Sequence, residues 1–257
     1  MTFRLLRLVF WSLSLASMSE RAIAQMSEQG ARQEAVDLVR SKVGLRSKQF
    51  LDVKRDESLE GSFVVSAGRR IQPLFIFKLN NAGYEVMDDK IVQHSSTDAD
   101  LSYIVAISSV DGSAYRIAGF QDSKAELNKL LAALRIKVSS EEQAEELSDL
   151  YRTVNPEHNA MTRMSGLLDL KQAAERQCQA VPFDPRERDF EAWWKHAKTA
   201  NSNVSFQQTA TRSASGYAVE WIVLSSPGAG QCGGAPLRAR LEVRSDGSIG
   251  EISFRPV

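Results

Sequence analysis

Leu237-Arg238-Ala239-Arg240-Leu241-Glu242-Val243-Arg244, then Ser245-Asp246-Gly247-Ser248, then Ile249-Gly250-Glu251-Ile252-Ser253-Phe254 is the stretch that decides the fold. Its first eight residues alternate apolar and charged, the period of a strand with one buried face. Asp246-Gly247 supplies a turn whose residues tolerate positive φ, and a second strand-like run follows at once. A two-residue turn pairs Leu241 with Ile252 and Ala239 with Phe254 on the inner face. The same register sets Glu242 opposite Glu251 and Arg238 opposite Arg255, an unfavourable arrangement unless Arg240 and Arg244 compensate. A hairpin of this kind implies an antiparallel sheet.

Working outward, Tyr217 to Leu224 reads as another strand, so residues 201–257 form a β zone. Residues 122–200 before it are helical. Ser123 with Glu126 resembles a capping box ahead of Leu127, Leu130, Leu131 and Leu134, and Ser139 with Glu142 does the same for the helix that ends at Asn155-Pro156. Leu167, Leu170, Ala174 and Cys178 share one face of a third helix. Asp184-Pro185 opens a fourth, with the stripe Phe190, Trp193, Trp194 and Ala197. Residues 25–121 open with a helix capped by Ser27 and striped by Ala31, Ala35, Leu38 and Val39. Strand-like runs follow at Phe63-Val64-Val65, Leu74 to Phe77, Tyr84 to Met87 and Leu101 to Ser108. Turns are expected at Asn80-Asn81-Ala82-Gly83 and at Asp111-Gly112. The expectation is an α+β fold of antiparallel sheets with a central helical segment packed on one face, residues 25–257 forming a single domain. Ser109 to Phe120 resembles Arg244 to Phe254, which suggests a duplicated unit. The preference of hairpins for Asp-Gly accounts for the same likeness.

Residues 1–24 read as a cleavable signal peptide. Arg4 and Arg7 make a basic start, Leu8 to Ala16 an uncharged apolar run, and Ala22-Ile23-Ala24 a small-residue exit. A spanning helix needs about 20 apolar residues, and Ser19-Glu20-Arg21 cuts the run short. The arginines are not adjacent, which argues against twin-arginine export. The expected product is soluble, exported to the periplasm or the medium, and without stable membrane insertion.

The whole chain carries 32 basic and 32 acidic residues. Losing Arg4, Arg7 and Arg21 against Glu20 leaves 29 and 31, a net charge of −2. That balance supplies no long-range field for nucleic acid or an anionic bilayer. Cys178 and Cys232 are the only cysteines, and an even pair in an oxidising compartment points to a disulfide. A redox or nucleophilic thiol is the competing reading, but there is no CxxC and no neighbouring base.

No motif names a reaction or a cofactor. Gly228-Ala229-Gly230-Gln231-Cys232-Gly233 matches G-x-G-x-x-G. A dinucleotide site needs a helix directly afterwards, whereas Gly234-Ala235-Pro236 and a strand follow. The histidines are His94, His158 and His196, without the spacing of a metal centre. Asp98-Ala99-Asp100 lacks the pattern of a calcium loop, and there is no G-x-S-x-G elbow. Two groups are left as ligand-binding candidates. Trp193 and Trp194 lie on a helix stripe as core or as a stacking platform. Arg238 and Arg240, with Arg244 and Arg255, receive carboxylates or phosphates, or form a solvent face neutralised by Glu242 and Glu251. The sequence therefore leans toward an exported, non-catalytic protein that binds a protein or a small molecule. The alternative is a hydrolase using carboxylates or a loop histidine.

Overall fold

The computed structural model describes residues 26–43, 49–67, 73–87, 90–93, 102–155, 163–180, 190–226 and 233–257. The signal-peptide segment, His94, His158, Asp98, Asp100, the Asp184-Pro185 cap, Cys232 and all but the last residue of the glycine motif lie outside them.

In chain order the elements are α1 (Glu28–Val43), β1 (Gln49–Arg55), α2 (Glu57–Ser66), β2 (Leu74–Met87), β3 (Lys90–Gln93), β4 (Ser102–Ser108), β5 (Ala114–Ala118), α3 (Ser123–Ala133), α4 (Glu141–Val154), α5 (Leu167–Ala180), α6 (Phe190–Ala200), β6 (Thr209–Arg212), β7 (Gly216–Leu224), β8 (Pro236–Arg244) and β9 (Ile249–Pro256). The fold is α+β. The N-terminal sheet runs β1-β2-β4-β5, with β3 also paired to β2, and the C-terminal sheet runs β6-β7-β8-β9. Every pairing is antiparallel.

Alternation along the strands builds the layers. On the N-terminal sheet Phe77, Leu79, Tyr103, Val105 and Ile107 face α1, which presents Ala31, Ala35 and Val39. The intervening residues Leu74, Ile76, Ile104 and Ala106 face the other way. They share one core with Phe63 of α2, Leu127 and Leu130 of α3, Leu147 and Tyr151 of α4, and Val219, Trp221, Leu241 and Val243 of the C-terminal sheet. Three helices thus fill the space between two sheets. The far face of the C-terminal sheet carries Ile222 and Leu224 under Leu170 and Ala174 of α5. The central helical segment packs on one face of that sheet through α3 and α4, while α5 and α6 cover part of the other.

Several local expectations are corrected. Phe63-Val64-Val65 is helical, not a strand: Asp56 accepts from the Leu59 amide at 3.0 Å and caps α2. The helix buries Leu59 and Phe63 and leaves Val64 and Val65 exposed. Asn80-Asn81-Ala82-Gly83 makes no turn, because β2 continues through it: Asn80 pairs both Asp52 and Ser102, Asn81 pairs Leu51, and the pairing with β1 resumes at Glu85 after a register shift. Neither capping box forms as read. Asp122 stands at the N-cap of α3 without a side-chain capping bond, the Ser123 hydroxyl accepts from the Phe120 amide, and Glu126 turns to Lys129 and Arg116. In α4 the cap is Ser140, bonded to the Gln143 amide, and Gln143 reaches back to Ser139. Glutamine serves there because the reciprocal bond needs only an acceptor oxygen.

The two Asp-Gly turns are built alike. Gly112 and Gly247 have φ of 71° and 86°. The Asp111 and Asp246 carboxylates accept from the amides of Ser113 and Ser248 at 3.0 and 2.9 Å. Each hairpin closes its sheet, five-stranded at the N-terminal end and four-stranded at the C-terminal end, and each sheet carries a helix on its outer face.

Candidate functional site

The expected pairing of β8 with β9 forms: Leu241 opposes Ile252, Ala239 opposes Phe254 and Arg238 opposes Arg255. A register shift between Leu241 and Val243 then interrupts it. The extra residue on β9 is a bulge, and it separates Glu242 from Glu251, correcting the expected opposition. Glu242 lies against Gly250, where an added Cβ would stand 2.9 Å from its own. Glu242 accepts from the Ser215 hydroxyl, and Glu251 pairs with Lys124 at 3.2 Å.

Neither acid therefore neutralises the arginines as expected. That task falls to Glu220, which β7 places opposite Arg240. Arg240 Nη1 donates to it at 2.9 Å and Arg255 Nη2 at 3.1 Å, while Arg238 Nη1 stands 3.9 Å away. The Glu220 side chain is only 15% exposed. One shielded carboxylate thus gathers three guanidiniums, and the cluster keeps a surplus of two positive charges. Its forked donors match carboxylate and phosphate geometry. The signal for Glu220 was present in the sequence, since it is the sole charge in the apolar strand Gly216–Leu224.

The other candidates adjoin this cluster. β8 puts Pro236 two residues before Arg238, about 7 Å along the same face. Pro236 borders a cleft of about 300 Å³ that α6 closes with Trp193 and His196, alongside Asn201, Gly233 and Gly234. Trp193 is half-buried and packs against the cluster of Ile222, Leu224 and Phe206. Its ring lies 5.9 Å from Phe190 and 6.4 Å from Trp194, and Lys171 Nζ sits 5.8 Å over the Trp194 ring. The chain crosses the face of Trp193 at Gly233, where a Cβ would stand 2.6 Å from the indole. Only glycine lets the backbone lie this close. The structure thus brings Trp193, Arg238 and Arg240 onto one sheet face, with Trp194 stacked at its margin.

The glycine-rich loop is pinned to α5 beside Cys178. Gln177 Nε2 donates to the Ser225 carbonyl at 2.9 Å, and Gln177 Oε1 accepts from the Gly234 amide at 3.1 Å. One side chain thus bridges the two ends of the loop. No described cysteine is free.

A larger concavity, of about 530 Å³, is lined by Lys42, Tyr103, Arg116, Phe120 and Asp122 on the N-terminal sheet. Its Arg116 is already matched by Asp122 and Glu126, so it offers less unspent charge than the Glu220 cluster. Among the described residues no group of three or more His, Cys, Asp or Glu could hold a metal ion, and no helix is long and apolar enough to cross a membrane. No family model matches this sequence, and neither a curated protein nor a solved structure is similar to it at a significant level.

Proposed function

We propose that the chain is an exported, non-catalytic binding protein whose ligand presents a carboxylate beside an apolar or aromatic group. The observation that carries this reading is the continuity of one sheet face. The Trp193 cleft is bordered by Pro236, at the start of β8 and two residues before Arg238, and by Pro256, next to Arg255; Arg238, Arg255 and Arg240 share a single counter-charge. Glu220 holds the guanidiniums in place before any ligand arrives, so less side-chain entropy is lost on binding. A hydrogen bond to a charged group contributes about 1.5–3 kcal/mol. The apolar half of the ligand adds burial against the indole.

The same reading includes a Cys178–Cys232 disulfide. The Gln177 bridge supports it, because it already draws the neighbours of both sulfurs together.

Calorimetric titration of residues 25–257 with N-acetylphenylalanine and with its uncharged amide tests the site. The acid should bind at least about tenfold more tightly, a difference of about 1.4 kcal/mol. Arg238→Ala with Arg240→Ala should erase the difference, and Trp193→Ala should weaken both ligands. Equal affinity for acid and amide, or no binding of either, rejects the reading.

A further inference from the structure

A second concentration of positive charge lies on the opposite face of the C-terminal sheet, in the seam that α4 makes with it. Ser148, Arg152 and Asn155 are spaced i, i+4 and i+7 and form one stripe along α4. Across from Arg152 stands Trp221, fully buried, with the Arg152 guanidinium 5.2 Å from its ring. Gln208 borders the pair and accepts from Arg152 Nη2 at 3.0 Å. Arg163 enters from the strand edge, one residue before Met164, whose amide donates to the Ile222 carbonyl at 2.8 Å.

The seam is rich in donors and poor in acceptors. Eight buried side-chain atoms have no hydrogen-bond partner among the described residues, and five of them are here: Ser148 Oγ, Arg152 Nε, Asn155 Nδ2, Arg163 Nε and Trp221 Nε1. Four of the five can only donate. Buried polar groups in folded proteins are nearly always satisfied, so a local cluster of such donors marks a place where water or a ligand supplies the acceptor. Charge is missing as well. Arg152 pairs with Asp149, whose carboxylate is about half exposed and is also engaged by Gln208. Arg163 forms no ion pair with any described residue. Burial, and then the neighbouring Arg163, push the Arg152 guanidinium down to about 10.

We propose that this seam is a binding site for a small oxyanion, held by Arg152, Arg163, Asn155 Nδ2 and the Trp221 indole N–H. Such an anion supplies several acceptor oxygens at once and a negative charge for a seam where two guanidiniums face the single carboxylate of Asp149. A water molecule supplies the acceptors without the charge. The site is independent of the Glu220 cluster, which occupies the other face of the same sheet.

The test uses the chain of residues 25–257 at constant ionic strength, with inorganic phosphate, acetate and sodium chloride as probes. Two-dimensional ¹H–¹⁵N spectra report the Trp221 indole, assigned by its loss in Trp221→Phe, and the arginine Nε–H groups. Phosphate, acetate or both should shift the Trp221 indole and two Nε–H signals saturably, and raise the melting temperature, where chloride does neither. Arg163→Gln, at the half-exposed edge of the seam, should weaken the response at least tenfold while the spectrum stays folded. Arg238→Ala with Arg240→Ala should leave it intact. If both oxyanions match chloride, the seam holds only water and the proposal is overturned. A saturable response that Arg163→Gln leaves unchanged, or that the double variant abolishes, overturns it equally.

Discussion

Gly247 and Gly61 have the same side chain and opposite surroundings. An added Cβ at Gly247 would lie 2.5 Å from the Ile136 carbonyl oxygen, at a φ of +86°. At Gly61, inside α2, it would meet nothing within 4 Å. Gly247→Ala should therefore cost at least about 2 kcal/mol, from the left-handed backbone and the clash together. Gly61→Ala should gain about 0.5–1 kcal/mol by restricting the unfolded chain and favouring helix. Urea denaturation of the two variants checks both signs. The turn next to Gly247 also makes a pH prediction. The Asp246 carboxylate is held below its usual range by the Ser248 hydroxyl and then the Ser248 amide, and Asp111 by the Ser108 hydroxyl and then the Ser113 amide. A depressed carboxylate stabilises the fold above its unfolded pKa of about 3.9, and that contribution is lost as pH falls through the lower folded value. Denaturation midpoints should fall on acidification below about pH 4, and less steeply in Asp246→Asn. Much was legible at this scale. Alternation puts Leu241, Ala239, Ile252 and Phe254 on one face, although the turn spans three residues, with Arg244 meeting Ser248 and Val243 opposing Ile249, and not the expected two. The bulge that separates Glu242 from Glu251 was not legible, because it depends on Gly250 meeting Glu242, a contact between strands.

At the scale of elements, α2 is the clearest test of which pattern governs. As a strand, Phe63 and Val65 would share a face and lose comparable stability on truncation. As the helix it is, Phe63 is fully buried while Val65 is 59% exposed. Phe63→Ala should cost about 3–5 kcal/mol, and Val65→Ala should stay within about 0.5 kcal/mol, read from the same denaturation curves. Three consecutive apolar residues, two of them β-branched, fit either structure. The signal that separates them lies upstream, in Asp56 as cap and Leu59 at helical spacing from Phe63. β2 fails as a reading for another reason. Asn80 to Gly83 carry local turn preference, but the pairing of the stretches on either side, with β1 and β4 up to Asn80 and with β3 from Tyr84, carries the strand through them and outweighs it. The candidate site divides in the same way. The strand pattern places Arg238 and Arg240 on one face, and the helix stripe brings Trp193 and Ala197 together. That Glu220 serves the arginines depends on which strand lies next to β8.

For the whole molecule, export and the disulfide make a joint prediction. Mass spectrometry of exported material without reductant should find Gln25 at the N-terminus and the peptides containing Cys178 and Cys232 linked. Reduction should then cost about 4 kcal/mol, the chain-entropy value for a loop of this length, and should loosen the Gly233 contact on Trp193 first. A product that begins at Met1, or free thiols in the native exported protein, would reject this. The arrangement of layers was the least legible feature. Periodicity shows that a helix has a buried face but does not identify the sheet that covers it, and here α2, α3 and α4 serve both sheets at once.

That shared middle layer has a consequence for any attempt to divide the chain. A cut between α4 and α5 gives one piece holding the N-terminal sheet and the three inner helices, and another holding the C-terminal sheet with α5 and α6. Val219, Trp221, Leu241 and Val243 would then face water on the second piece, opposite the helix surfaces stripped bare on the first. Two such fragments are mutual chaperones: each should aggregate when made alone, and the pair should recover the native circular dichroism spectrum when made together.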